Sequence, residues 1–198
     1  MALLEPYGRI GLNKILLVAT VAHVAQALAE LRLCAVVGFD TESKPTFRKG
    51  EVSDGPHVVQ FSTPEKAYIF QLHQRDCHTA VCALIESEAI IKVGFGLSSD
   101  YREISRKLGV SPKEVLDLNS IFKRRGCRKS VGVKGAVALV FQRRFLKSKS
   151  AATSNWASHR LTDTQVLYAA NDAYAAIQVY HQLAVMTDFF QAPAVPLA

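Results

Sequence analysis

Short continuous runs of apolar residues recur through the first two thirds of the chain, each closed by Gly, Pro or polar residues. Such runs are typical of strands that are buried on both faces. They predict strands over residues 15–19, 34–40, 57–62, 67–70, 90–94 and 115–118. The third and fourth of these strands flank a Thr-Pro-Glu-Lys turn at residues 63–66, so we expect them to pair as a hairpin.

Between and after these runs, apolar residues recur at the spacing of an amphipathic helix. This spacing predicts helices after an N-cap at Thr20 and over residues 76–86, 98–108, 130–140 and 162–183. Thr162 and Gln165 have the spacing of a capping box, which fixes the start of the last helix. Strands and helices that alternate in this way predict an α/β fold, with a mixed central β-sheet flanked by α-helices.

The composition is that of an ordinary globular protein, with 49% apolar and 21% charged residues among 198. We expect one domain over residues 1–198, with a core at about 15–183 and a tail at 184–198 that frays at residues 191–198. Apolar runs stay well short of the ~20 residues that cross a bilayer, so no membrane contact is expected. The four cysteines form no C-x-x-C pair, which favours reduced thiols and a cytoplasmic protein.

Positive charge is concentrated in one stretch of the chain. The net charge is +7, yet residues 118–162 contain 11 Lys and Arg residues and no Asp or Glu. We call residues 118–162 the basic segment. A polycationic segment favours a polyphosphate partner such as nucleic acid. A solvated basic face without any partner has the same composition, so charge alone leaves both interpretations open.

Two carboxylates stand at the end of the predicted strand at residues 34–40. Asp40 and Glu42 are two residues apart, so their side chains share one face of that strand. Like charges this close repel each other, and burial makes each ionised form costly. A divalent cation that prefers oxygen ligands, such as Mg²⁺ or Mn²⁺, would relieve both problems. The same pair also occurs where a strand simply ends and a polar loop begins.

Three more residues are candidates for the same site. Asp100 lies in the first turn of the helix predicted at 98–108, where an acid also complements the helix dipole without any further function. Tyr168 and Asp172 are four residues apart on the last helix, along one edge of its apolar stripe. A carboxylate in that position needs a partner; the alternative is a surface Asp beside a packed Tyr.

The order of these residues along the chain is more specific than any one of them. The three motifs are V-G-F-D-T-E at residues 37–42, V-G-F-G-L-S-S-D at 93–100 and L-T-D-T-Q-V-L-Y-A-A-N-D-A-Y at 161–174. Together they resemble the motifs of the DEDDy 3′–5′ exonucleases, which include ribonuclease D and the Werner-type exonuclease domains. A related class carries His five residues before the last Asp. Leu167 occupies that position here, so the resemblance is to the tyrosine class.

The resemblance implies a ribonuclease H-like fold and a divalent-metal-dependent 3′–5′ exonuclease that releases nucleoside 5′-monophosphates from a nucleic acid. It implies two cations, Mg²⁺ or Mn²⁺. Asp40, Glu42 and Asp172 would ligate one of them, Asp40 would bridge to the second, and Asp100 would bind that second ion through water. Tyr168 would orient the attacking water through its hydroxyl.

Six residues are candidates for contact with the nucleic acid. They are Lys147, Lys149, Ser154, Trp156, Phe95 and Leu97. The first four lie before the last helix, in a stretch similar to the one that precedes the third motif in Werner-type members. For the two lysines the alternative is a solvated pair, and for the three apolar side chains it is packing within the core.

Two other classes of protein fit part of the sequence. Residues 94–99 nearly spell the G-x-G-x-x-G fingerprint of a dinucleotide-binding domain, with Asp117 about 20 residues further on. Ser99 replaces the third glycine, so we expect no dinucleotide cofactor. The other class is a non-catalytic nucleic-acid-binding module that kept the fold and the basic segment. The sequence leaves open the choice between DNA and RNA and the oligomeric state.

Overall fold

The computed structural model describes residues 4–46 and 50–186, along which strands and helices alternate. The strands are β1 (Ile15–Val18), β2 (Val36–Glu42), β3 (Val58–Ser62), β4 (Ala67–Gln71), β5 (Ile91–Gly94) and β6 (Val115–Asp117). The helices are α1 (Val21–Leu31), α2 (Arg75–Ile85), α3 (Ser98–Leu108), α4 (Leu118–Arg124), α5 (Gly132–Phe141), α6 (Lys149–Ala152) and α7 (Asp163–Val185). All six predicted strands and all five predicted helices are confirmed, with bounds that shift by a few residues.

The strands form a mixed sheet in the order β1-β4-β3-β2-β5-β6. β3 is antiparallel to β2 and β4, and the other neighbouring pairs are parallel. The predicted hairpin is confirmed, since Ser62 pairs with Ala67 across the turn. β2 lies inside the sheet, where Asp40 pairs with Gln60 of β3. β3 and β5 pair with the two edges of β2, and helices cover both of its faces.

Successive residues of β2 point to opposite faces of the sheet. Phe39 points to the face covered by α1, α2 and α3, where it packs against Phe61 with 5.4 Å between ring centroids. α4, α5 and α7 cover the other face. Gly38 and Asp40, on either side of Phe39, therefore project toward α7.

α7 crosses the middle of the sheet and packs directly on β2. Its capping box is confirmed: the Gln165 N–H donates to Thr162 Oγ1 at 3.3 Å, and the Thr162 N–H donates to Gln165 Oε1 at 3.0 Å. Gly38 allows the close contact, because a Cβ at this position would lie 2.0 Å from the carbonyl oxygen of Ala173. The glycine thus determines how near the polar residues of α7 come to the end of β2.

The basic segment contains more helix than its hydrophobic pattern predicts. One helix is predicted there, over residues 130–140, and the structure adds α4 and α6. α4 begins at the end of β6, where Asp117 caps it by accepting a hydrogen bond from the Asn119 N–H at 2.9 Å. α6 has only four residues, with Ser148 as its N-cap. Both helices are too short for helical periodicity to develop, so the pattern misses them.

The buried surface of α7 extends beyond its apolar stripe. The sequence places Tyr168 and Asp172 at one edge of the stripe, but they are 8% and 4% exposed. The reason is that α7 contacts the sheet on one side and α5 and α6 on others. The predicted fraying at residues 191–198 lies outside the described residues. Within residues 4–46 and 50–186, no helix combines the length and apolar character needed to span a membrane.

Candidate active site

Three carboxylates meet where the end of β2 lies beneath α7. Asp40 and Glu42 come from β2 and Asp172 from α7, and each offers one oxygen to a group whose members all lie within 4.8 Å of one another. Asp172 is buried, and the two acids of β2 are half-buried. Residues 130 positions apart along the chain are thus brought together by the packing of one helix on one strand. We call Asp40, Glu42 and Asp172 the acidic cluster.

Burial and mutual repulsion disfavour the ionised forms of these acids. Burial raises the pKa of Asp40 well above its usual range, and the Asp172 and Asp100 charges raise it further. Burial followed by the Asp40 charge raises the pKa of Glu42 to about 10. Burial also raises the pKa of Asp172, to about 6, although Lys147 acts in the opposite direction. Additional positive charge would be needed for all three carboxylates to be ionised together.

Lys147 supplies part of that positive charge. Its Nζ lies 2.6 Å from Asp172 Oδ2 and 5.0 Å from the centroid of the Tyr168 ring. Burial by itself lowers the pKa of this lysine, but the Asp172 charge outweighs that effect and holds the pKa above its ordinary value. The sequence predicts Lys147 as a phosphate contact; in the structure its ammonium group is paired with Asp172.

The donor set of the acidic cluster fits divalent cations. All three residues offer carboxylate oxygens, the ligands that Mg²⁺ and Mn²⁺ prefer. They are carried by a strand and a long helix, so their relative positions are fixed by regular structure. The raised pKa values of Asp40 and Glu42 have the same implication, since a bound cation would favour the ionised forms that burial disfavours.

Asp100 approaches the acidic cluster from the first turn of α3, as the sequence predicts. Its carboxylate accepts a hydrogen bond from Thr41 Oγ1, which ties α3 to the end of β2. Burial raises the pKa of Asp100, and the charge of Asp100 in turn raises the pKa of Asp40. Asp100 therefore faces the site while it stays outside the group of three whose oxygens lie within 4.8 Å.

Tyr168 lies one turn before Asp172 on the same helix. Its ring packs against Trp156, with 5.9 Å between the ring centroids. Burial, followed by the Asp172 charge, raises the pKa of Tyr168 to about 12. The hydroxyl thus stays protonated near neutral pH, where it can donate and accept hydrogen bonds but is not a base.

Three of the six predicted nucleic-acid contacts help to hold the core and the start of α7. Leu97 and Trp156 are each 1% exposed and belong to the apolar core, so the packing alternative describes both. The Ser154 hydroxyl donates to the Ala151 carbonyl oxygen at 2.7 Å and accepts from Gln165 Nε2 at 3.0 Å. These bonds hold the start of α7 against the loop that precedes it.

The remaining three predicted contacts are Lys149, Phe95 and Lys147. Lys149 is exposed on α6, and Phe95 is half-buried beside Phe122, with 6.5 Å between ring centroids. Lys147 is half-buried and occupied by its ion pair with Asp172. The structure thus brings the five motif residues to one place and distributes the six predicted nucleic-acid contacts between core, surface and site.

Asp117 joins the second motif to α4. Besides capping α4, its Oδ1 accepts a hydrogen bond from the Gly96 N–H at 3.1 Å. In the sequence, Asp117 stands out only as the acid about 20 residues after the near-match to the dinucleotide-binding fingerprint. Both hydrogen bonds place it instead in the framework that holds the loop before α3.

Thr41 and Asn171 belong to the site but are not among the residues that the sequence predicts. Thr41 orients Asp100, as described above. Asn171 Oδ1 accepts from the Ile10 N–H at 3.0 Å, and Asn171 Nδ2 donates to the Leu167 carbonyl oxygen at 2.7 Å. Asn171 thereby ties the N-terminal segment to α7 directly before Asp172. The helical spacing places Asn171 away from the apolar stripe of α7, so the sequence pattern gives no sign that its amide is buried.

A family model described as a 3′–5′ exonuclease matches residues 16–188 of this chain. The chain therefore belongs to the family of 3′–5′ exonuclease domains, as the order of its three motifs predicts. Its fold is the ribonuclease H-like fold of that family.

Individual relatives agree with this assignment. The chain is 30% identical over 158 residues to the bifunctional 3′-5′ exonuclease/ATP-dependent helicase WRN of Mus musculus, covering 79% of this chain and 11% of that protein. It is 30% identical over 156 residues to a 3′-5′ exonuclease of Arabidopsis thaliana, covering 78% of this chain and 54% of the relative. The chain thus spans only part of the length of each of these relatives.

Solved structures share the fold at lower sequence identity. The Aedes aegypti Nibbler EXO domain superimposes with a TM-score of 0.76 at 21% identity, over 93% of this chain and 94% of that one. Escherichia coli RNase D superimposes with a TM-score of 0.71 at 19% identity, over 88% of this chain and 45% of that one. At such identities the likeness concerns the fold.

Proposed function

We propose that this chain is an active 3′–5′ exonuclease, which hydrolyses the phosphodiester bond at the 3′ end of a nucleic acid and releases nucleoside 5′-monophosphates. The observation that carries the proposal is the acidic cluster, whose three ligand atoms lie within 4.8 Å of one another beneath α7. Membership of the 3′–5′ exonuclease family supports it. A module that only binds nucleic acid would have no use for three carboxylates that are buried so close together.

Divalent cations complete the proposed site. Asp40, Glu42 and Asp172 would hold one cation, and Asp40 with Asp100 would hold a second. When bound, Mg²⁺ or Mn²⁺ acidifies a water for attack on phosphorus and stabilises the charge that develops on the leaving oxygen. The contribution of the protein is a set of carboxylates fixed by β2, α3 and α7.

Two side chains next to the acidic cluster would act on the substrate. The protonated hydroxyl of Tyr168 would orient the attacking water by hydrogen bonding, because its pKa of about 12 excludes a role as base near neutral pH. Lys147 would offer its ammonium group to an oxygen of the phosphate. Its position, 2.6 Å from Asp172 Oδ2, already places it at the edge of the site.

The basic segment would bind the phosphate backbone of the strand. Nine of its 11 Lys and Arg residues are exposed, and its helices lie on the same face of the sheet as α7. Lys123, Arg128 and Lys129 line a cavity of about 320 Å³ that also contains Asp117. Because Asp117 bonds to Gly96, this cavity adjoins the loop of the second motif. A solved structure of Trypanosoma brucei RNase D in complex with RNA U12 supports a nucleic acid as partner.

We also propose that residues 1–198 form one exonuclease domain with a core at about 15–183, which the family match over residues 16–188 supports. A cytoplasmic location stays a prediction, and fractionation of cells that produce the tagged chain would test it.

A degradation assay tests the proposed function. Single strands and duplexes of DNA and RNA, labelled at the 5′ end, are incubated with Mg²⁺, Mn²⁺ or EDTA. We expect a ladder that shortens from the 3′ end, disappears in EDTA and is absent for the Asp40→Ala, Asp172→Ala double variant. Asp76→Ala is the matched control, since Asp76 is exposed on α2, on the opposite face of the sheet. Absence of cleavage by the folded, metal-supplied protein on all four substrates would contradict the proposal and favour the non-catalytic module.

A further inference from the structure

Gln60 lies next to the acidic cluster. In the antiparallel register of β2 and β3 it pairs directly with Asp40. Residues directly opposite each other in such a pair project to the same face, with Cβ atoms about 4.5–5.5 Å apart. For Asp40 this is the face covered by α7, which carries Asp172 and packs on β3 as well as on β2. The Gln60 side chain therefore leaves the sheet beside Asp40, on the face that α7 covers.

The amide group of Gln60 is buried without a partner. The residue is 0% exposed, and neither Oε1 nor Nε2 forms a hydrogen bond to any residue in the part of the chain that the structure describes. A buried polar group without a hydrogen-bond partner destabilises the folded state, so native proteins keep few of them. Val58 and Ile69, on the same face of the sheet, are apolar. An apolar residue at position 60 would therefore suit folding better than glutamine does.

One side of the Asp40 carboxylate is already held by the backbone. Asp40 Oδ1 accepts a hydrogen bond from the Thr41 N–H at 2.9 Å. A second donor would fix the rotation of the carboxylate. An amide is suited to this role, because it donates a hydrogen bond and carries no positive charge. The charged ammonium group of Lys147, in contrast, would compete with a bound cation.

We propose that Gln60 is a positioning residue for the metal centre, whose carboxamide N–H donates a hydrogen bond to the Asp40 carboxylate when cations are bound. The inference rests on the proposed function, since it concerns the same site. Groups that hydrogen-bond to a metal ligand typically contribute about 10–100-fold to metal affinity. The buried amide of Gln60 thus destabilises the metal-free protein, but it orients the Asp40 carboxylate for the cations.

Replacement of Gln60 by an apolar residue separates this role from a structural one. We expect Gln60→Met in EDTA to unfold at the wild-type temperature or above it, because the substitution removes an unsatisfied buried amide. Its affinity for Mn²⁺, measured by titration calorimetry, should fall by about 10–100-fold. The Mn²⁺ concentration that gives half-maximal exonuclease rate should rise by a similar factor, and the rate should recover at saturating Mn²⁺.

Gln71→Met is the matched control. Gln71 is also a buried glutamine, on the neighbouring strand β4, but its Nε2 donates to the Ser158 carbonyl oxygen at 2.9 Å. Loss of that bond should lower the unfolding temperature and leave the Mn²⁺ affinity unchanged. The Gln60 variant should therefore change the Mn²⁺ affinity and not lower the stability, whereas the Gln71 variant should lower the stability and not change the Mn²⁺ affinity.

The outcomes are distinct. If wild type binds Mn²⁺ and Gln60→Met binds it equally well, the positioning role is wrong while the proposed function stands. If wild type binds no Mn²⁺, the metal centre and the role of Gln60 fail together. Gln60→Leu repeats the test with a different side-chain shape. Failure of both variants to fold would also contradict the inference, because it would show that the amide is needed for folding.

Discussion

The acidic cluster and the basic segment carry opposite charges and are built in opposite ways. The acidic cluster consists of three carboxylates, held beneath α7 by the register of one strand and the crossing of one helix. The basic segment is formed by α4, α5, α6 and their connections, and nine of its 11 Lys and Arg residues are exposed. In the cluster three carboxylates are held close together at fixed positions, whereas along the segment charge is spread over the surface.

The difference determines how each region responds to substitution. A buried charge interacts strongly with a few neighbours, as Asp172 does with Lys147. Exposed charges act together through a field that salt screens within about 10 Å. We therefore expect large effects from single changes in the acidic cluster and small, cumulative, salt-dependent effects in the basic segment.

The largest effect is expected from Asp172→Asn. The substitution keeps the shape of the side chain but removes a proposed metal ligand, so the rate of 3′ shortening should fall by at least about 10³-fold. The rate is measured from the initial loss of full-length labelled strand. Asp163→Asn, an exposed position in the first turn of the same helix, should leave the rate within about twofold of wild type. An Asp172→Asn rate close to that of Asp163→Asn would contradict the role of the cluster.

Lys147→Met should destabilise the metal-free protein. It removes the cation that lies 2.6 Å from buried Asp172, which should lower the free energy of unfolding in EDTA by about 1–3 kcal/mol. Mn²⁺ should offset most of the loss, because it supplies positive charge to the same carboxylates. Thermal unfolding with and without Mn²⁺ measures the loss of stability and its recovery. Lys149→Met, at an exposed position on α6, should leave the stability unchanged with and without Mn²⁺. An equal loss with and without Mn²⁺ would show that lysine and metal act independently.

Glu42→Gln should stabilise the metal-free protein at neutral and alkaline pH. In the folded protein the pKa of Glu42 is raised from 4.5 to about 10, so the fold retains a proton that the unfolded chain releases. Wild type therefore loses stability as pH rises above 4.5 toward about 10, and the variant avoids this loss. We expect a gain of about 0.5–2 kcal/mol at about pH 8, and no difference at about pH 4.

Chemical denaturation in EDTA across this pH range measures the prediction for Glu42. A constant gain at every pH would mean that packing, not charge, distinguishes the variant from wild type. If the stability gain of Glu42→Gln disappears in Mn²⁺, the Glu42 carboxylate of the wild type also binds the cation.

The smallest effects are expected in the basic segment. Arg128→Gln and Lys129→Gln should each weaken binding of an oligonucleotide a few-fold and lower the slope of log affinity against log salt by about 0.7–0.9. Binding is measured by fluorescence anisotropy at several salt concentrations. Arg75→Gln, an exposed residue of α2 on the opposite face, should have no effect. If Arg75→Gln weakened binding as much, the basic segment would have no special role.

The strands, the long helix α7 and each of the three motifs could be predicted, because each depends on residues that are close together in sequence. The capping box at Thr162 and the face shared by Asp40 and Glu42 are local in this sense. The ion pair of Lys147 with Asp172 is not, since it depends on where the loop before α7 crosses the helix.

The pairing of Asp40 with Gln60 was also beyond prediction. The chain between β2 and β3 spans residues 43–57, which is too long for a tight turn to fix the register of the two strands. Trp156 and Leu97 show a second reason why the sequence could not predict the whole site. An apolar side chain suits either a core or a nucleobase, and only burial distinguishes the two.

Anomalous diffraction from a crystal grown with Mn²⁺ would locate the bound cation independently of any activity assay. We expect an Mn²⁺ peak in contact with carboxylate oxygens of Asp40, Glu42 and Asp172, with Lys147 displaced from Asp172. The same crystal form of the Asp40→Asn, Asp172→Asn variant should lack that peak. Mn²⁺ peaks found only at other positions, with the ion pair of Lys147 and Asp172 intact, would contradict the assignment of the acidic cluster as the metal centre.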